Sequence, residues 1–148
     1  MTRTNAREIV VHLIYAIHAT GEPADEALVS RFADGYYETL GEENDVYAGR
    51  PNQKQMTYIT ETVRGIQSHQ EELDGYISRY AIGWHVERIS RLARAILQLA
   101  MYEALYVDDV PTGVAISEAV ELARKYETED VVSFVNGILG SFAREVAQ

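Results

Sequence analysis

The residues of this chain that could carry out acid–base or metal chemistry are four histidines and twenty-three carboxylates, and there is no cysteine. His12 and His18 stand six positions apart in a segment of helical period, so they point to different faces and make poor co-ligands of one metal. His69 and His85 have no neighbour at ligand spacing. No Gly-x-Ser-x-Gly elbow frames a serine as a nucleophile, and the glycines are scattered rather than gathered into a phosphate loop. Lack of cysteine excludes thiol catalysis and Cys-ligated zinc or iron–sulfur sites, and it fits a reducing compartment. The carboxylates lie mostly in Glu-rich helical stretches, where solvation is their usual role. The expectation is no enzyme, no metal and no cofactor.

A binding chemistry has more support. Arg3 and Arg7 lie one helical turn apart, and Tyr15 and His18 continue roughly the same face. Such a set can hold phosphates while an aromatic ring stacks on a base; the bland alternative is a solvated first turn. Tyr126, Asp130 and Phe134 follow at four-residue steps, with Ser133 able to offer a hydroxyl to a phosphate or base edge. The bland reading there makes Phe134 a core residue and Asp130 a favourable charge at a helix start. Arg88, Arg91 and Arg94 recur every third residue and suit an acidic partner or phosphate, or equally an ordinary solvated face offset by Glu87.

The formal charge of −10 argues against broad, non-specific binding of nucleic acid. Its distribution matters more. Residues 1–20 carry two Arg against one Glu, whereas residues 21–50 carry eight acids against two Arg. Any polyanion site must therefore be local, at the N-terminal segment or at Arg88, Arg91 and Arg94. A chain of 148 residues is long enough to bury about 70% of its unfolded surface without disulfide staples. No stretch reads as a signal peptide, and none approaches the roughly 18 apolar residues of a membrane span. A cytoplasmic protein is expected.

The elements that must position these residues are helical. Ile9, Val10, Leu13, Ile14 and Ile17 mark one face of a helix over 5–19. Pro23 with Asp25 and Glu26 starts a second, over 24–40. "GEENDVYAGRPNQ" is the longest loop signal. A long third helix fits 52–81. "IGWHVERISR" joins the halves, with a short helical turn. Residues 89–106 give the clearest helix, and Pro111 opens the next, over 111–126. With no strand pattern, the class is all-α, with six or seven helices in two halves, about 1–82 and about 83–148.

"SFVNGIL", residues 133–139, carries an Asn-Gly pair, the strongest short signal for a hairpin turn. Yet Val131, Val135, Ile138, Leu139, Phe142 and Val146 keep helical spacing around it, so a helix is expected. Gly137 then costs about 1 kcal/mol relative to Ala. Close approach of another helix is the expected compensation, with Asn136 hydrogen-bonded to neighbouring backbone.

"AILxLAxYE" in the 89–106 helix, "DVPxxVAIxEAVELA" after it and the final "FVNGIL" resemble the C-terminal half of the NusB family. "AREIVVHLIYA" is similar to that family's first helix, and "GW…ER" at 83–88 also fits. The resemblance covers roughly residues 1–20 and 83–145; residues 21–82 agree in helix pattern only.

The resemblance implies an all-helical fold of about seven helices in two packed small bundles, and transcription antitermination without catalysis. It implies boxA-type single-stranded RNA as ligand and NusE, a ribosomal small-subunit protein, as partner, within an elongation complex on RNA polymerase. Arg3, Arg7, Tyr15, Tyr126, Asp130, Ser133, Phe134 and Asn136 are the RNA-binding residues it implies, and Tyr15, Glu87 and Arg91 those facing NusE. The Asn-Gly pair gains a second role, exposing backbone where RNA passes. Thr4 and Asn5 stand where the family commonly has Arg, which predicts reduced RNA affinity, and Gln98 replaces a common Arg. Some members dimerise, so a homodimer is compatible with the resemblance. A protein-interaction bundle that has lost RNA binding is the alternative. The related helical domain of some rRNA cytosine methyltransferases is set aside, because neither a cofactor-binding segment nor a catalytic Cys is found.

Overall fold

A computed structural model describes residues 1–83 and 89–146. Among them are eight α-helices and one 3₁₀ turn, arranged in two compact units, Met1–Gln67 and Ser68–Gln148. None of these helices is long and apolar enough to cross a membrane.

In the first unit, α1 (Arg3–Thr20) starts where the Thr2 hydroxyl accepts the Asn5 N–H at 3.1 Å. It stops at Gly21, whose φ of 75° is open to glycine and strained for other residues. Ile9, Val10, Leu13, Ile14 and Ile17 are buried, as their spacing predicts.

The helix expected over 24–40 is two helices, α2 (Ala24–Arg31) and α3 (Tyr36–Glu43). Gly35 breaks it with a φ of 84°. Its N–H donates to Glu38 Oε1 at 2.9 Å, and Arg50 fastens the corner by donating to Glu38 Oε2 and to the Phe32 carbonyl, each at 2.9 Å. Pro23 has no side-chain cap to offer α2. Gln67 of α4 (Gln53–Ser68) supplies one: its Oε1 accepts the Ala24 N–H at 2.7 Å while its Nε2 donates to the Glu22 carbonyl at 3.0 Å. The expected 41–53 loop is shorter, because α3 runs to Glu43 and a 3₁₀ turn occupies Asp45–Tyr47.

The second unit holds α5 (Gln70–Tyr80), α6 (Arg91–Tyr106), α7 (Thr112–Tyr126) and α8 (Glu129–Val146). α6 packs against α5, α7 and α8. The helix expected over 52–81 is therefore divided at His69, where φ and ψ are −108° and 18°. The reason is packing. α5 seats Leu73 and Ile77 in its own unit's core against α6 and α8, so the units part near residue 67 rather than near 82. The turn expected in "IGWHVERISR" falls mostly outside the described residues.

One glycine of the first unit is sterically required. A Cβ on Gly41 would lie 2.6 Å from the Tyr47 carbonyl oxygen, a backbone atom that cannot swing away. Gly41→Ala should lower stability in urea melts by about 1–3 kcal/mol, the usual cost of overpacking.

Candidate nucleic-acid interface

The expected RNA-binding residues fall on both units. In the first unit, Arg3 is half-buried at the start of α1. Its Nε donates to Gln55 Oε1 at 2.8 Å, and its guanidinium carbon sits 4.0 Å from the centroid of the Tyr58 ring. Stacking one face of the planar group on an aromatic ring fixes its direction without consuming its charge. Arg3 is thus a preorganised cation on α4.

Arg7 is different. It is 5% exposed, inside the packing of α1, and the surface pair of Arg3 and Arg7 read from sequence does not form. Position 7 belongs to the row of Val10, Ile14 and Ile17, all buried. Tyr15, at 44% exposure, is on the outside and available for stacking or for a partner. His12 has a structural place. Its Nδ1 lies 2.7 Å from the Tyr47 hydroxyl, which also accepts from Arg31 at 2.6 Å, while its Nε2 is 3.8 Å from Glu8. Burial raises the pKa of the Tyr47 phenol.

In the second unit the turn between α7 and α8 carries the other set. Ser90 accepts the Ala93 N–H at 3.1 Å, capping α6, and its hydroxyl donates to Glu127 Oε1 at 3.0 Å. The start of α6 therefore holds the turn on which Tyr126 and Asp130 are mounted. Tyr126 is 38% exposed, and the Lys125 ammonium lies 5.5 Å from its ring centroid. Lys125 was not among the residues expected from sequence.

α8 is a helix straight through the Asn-Gly pair. Val135, Ile138, Leu139 and Phe142 are buried, and Phe142 meets Tyr76 edge-on at 5.1 Å. Asp130, Ser133, Asn136 and Gly137 are exposed on the outer side, with Phe134 half-buried between the two faces. The close helix approach expected at Gly137 is absent: a Cβ there meets nothing within 4 Å. An aromatic, hydroxyl, amide and bare-backbone surface is what single-stranded nucleic acid uses for stacking and hydrogen bonding.

Of the arginine series, Arg91 is exposed at the start of α6, whereas Arg94 is clamped on Asp74 at 3.1 and 2.5 Å. Glu87 and Arg88 lie outside the described residues.

Two substitutions check this geometry. Gly137→Ala should stabilise the protein by about 0.8–1 kcal/mol in urea melts, since helix propensity improves and nothing is displaced. Arg7→Ala should lower stability in urea melts by about 1–3 kcal/mol, the scale of leaving buried polar groups unsatisfied. An Arg7→Ala protein of wild-type stability would contradict the burial.

These helices have counterparts. The NusB family model matches residues 4–144. Two relatives, each described as transcription antitermination protein NusB, come from Symbiobacterium thermophilum and Acetivibrio thermocellus. They are 39% and 40% identical over 144 residues, covering 97% of this chain and 90% of their own lengths. The fold is similar to that of NusB from T. maritima, with a TM-score of 0.82 and 30% identity over 100% of this chain and 94% of that one. It is also similar, at a TM-score of 0.76 and 24% identity, covering 97% of this chain and 96% of the other, to a chain in a crystal structure of antitermination factors NusB and NusE with dsRNA. With α1 and the α7–α8 turn both inside a match that spans nearly the whole sequence, this chain belongs to the NusB family.

Proposed function

We propose that this protein is a transcription antitermination factor that binds boxA-type RNA together with NusE and supports transcription of ribosomal RNA, acting in the cytoplasm and without catalysis. The observation that carries the reading is the outer face around the α7–α8 turn. Tyr126, Asp130, Ser133, Asn136 and Gly137 are exposed there on helices fixed by a buried apolar side. What the relatives are called supports the antitermination role, and a NusB solved with NusE and dsRNA supports the partners.

The chemistry favours unpaired bases at this face. Tyr126 and Phe134 offer rings for stacking, worth about 1–3 kcal/mol per base. Ser133 and Asn136 offer hydrogen bonds to base edges or sugar. Gly137 leaves backbone uncovered. On the first unit Arg3 holds a phosphate and Tyr15 serves stacking or the protein partner. Tyr15, Arg91 and Glu87 are assigned to NusE.

Because Arg7 is buried, few cations serve RNA, and the affinity of this chain alone is low. NusE supplies further contact and positive charge. Fluorescence anisotropy on a boxA RNA and a scrambled control, at several salt concentrations and with and without NusE, tests the reading. Specific binding should strengthen with NusE. Arg3→Ala should flatten the slope of log K against log salt by about 0.7, the value of one phosphate on a single strand. Phe134→Leu should weaken binding with no change in slope. Equal binding of both RNAs, or none even with NusE, leaves the interaction bundle without RNA as the better account.

A further inference from the structure

Loss of Arg7 from the surface raises the question of which other basic residue can meet the RNA backbone. Five of the thirteen pair with carboxylates among the described residues. Arg50 is held by Glu38 and Asp34, Arg64 by Asp25, Arg79 by Glu145, Arg94 by Asp74 and Arg124 by Glu121. Arg31 serves the Tyr47 hydroxyl. Lys125 stands apart in where it lies. It is exposed, it is the penultimate residue of α7, and its ammonium is 5.5 Å from the centroid of the Tyr126 ring.

We propose that Lys125 is a phosphate contact of the RNA surface: its ammonium, beside the Tyr126 ring, neutralises the backbone phosphate of the nucleotide whose base stacks on that ring. The inference rests on the RNA-binding reading of the α7–α8 turn and deepens it. Three observations converge. Tyr126 is 38% exposed, on the outside of the turn where a base can reach it. The turn is fixed by Ser90 to Glu127 at 3.0 Å, so ring and cation are presented together. At 5.5 Å the ammonium is near the outer limit of a cation–π contact, within about 6 Å. A flexible four-carbon stem lets it follow a phosphate without a rearrangement of the helix.

The competing role is local. A cation in the last turn of a helix complements the dipole, and Lys125 would then matter to stability alone. The slope of RNA affinity against salt separates the two, because a dipole contact does not count phosphates. The measurement is anisotropy on boxA RNA with NusE present, for wild type, Lys125→Gln, Lys125→Arg and, as a control for lost positive charge elsewhere, Arg64→Ala. Circular dichroism confirms that each variant is folded. Lys125→Gln should make the slope shallower by about 0.7, Lys125→Arg should restore it, and Arg64→Ala should leave it at the wild-type value. A Lys125→Gln slope equal to wild type, with specific wild-type binding intact, overturns the inference and leaves the function standing. Absence of specific wild-type binding removes the function, and this inference with it.

Discussion

The middle of α6 is buried around its circumference, and the second unit is arranged by that fact. Seven consecutive residues, Ala95 to Met101, are shielded from solvent, and α5, α7 and α8 all pack on the helix. A helix covered on every side has no polar face of its own. The one amide in the run, Gln98, is 0% exposed and must find partners inside. Its Nε2 donates to Asp74 Oδ1 at 2.9 Å, and the same carboxylate receives Arg94, so α5 is tied to α6 by polar bonds as well as apolar packing. With α6 as the axis, α7 and α8 turn one side inward and leave the other for function.

Charge limits what that other side can do. A chain at −10 repels RNA over long distances. Screening shortens the reach of each charge to about 8 Å at physiological ionic strength, so on the proposed RNA face the charges next to the strand weigh most. Most arginines are occupied in fastening helices, Arg50 at the α2–α3 corner and Arg94 at α5–α6 among them. The proposed RNA recognition therefore leans on rings and hydroxyls, with a few well-placed cations, and benefits from a basic partner.

The helices were legible because their apolar periods are regular; the breaks were not. Asp34-Gly35 carries a turn signal inside "RFADGYYETL", but the apolar period runs through it, and only the left-handed Gly35 with its Glu38 and Arg50 contacts shows that the chain bends. The break at His69 has no glycine or proline to mark it and follows from packing of α5 within the second unit. Arg7 was misplaced for a reason visible in the sequence. Its separations from Val10, Ile14 and Ile17 are the separations of one helix stripe, so a count of the apolar row extended toward the N-terminus reaches it. Gly137 was misplaced in the same way, since it shares a row with Asp130 and Ser133 rather than with Val135 and Ile138. Side-chain partners such as Ser90 with Glu127 join elements far apart in sequence and carry no local signal.

An exposed glycine in a helix interior does not by itself mark function. Gly75 in α5 is also exposed, and a Cβ there also meets nothing within 4 Å. What separates Gly137 is its surroundings. It lies next to Asn136 and one turn from Ser133, on the side of α8 that faces away from the core, on the helix that follows the Tyr126 turn. A glycine there costs about 1 kcal/mol of helix stability and gains no contact in the folded chain. Local disagreement with an otherwise consistent helix is expected where a surface is shaped for a ligand rather than for packing. The proposed function therefore rests on the cluster: a bare stretch of backbone, two small polar side chains and an open ring, all held from behind by one buried face.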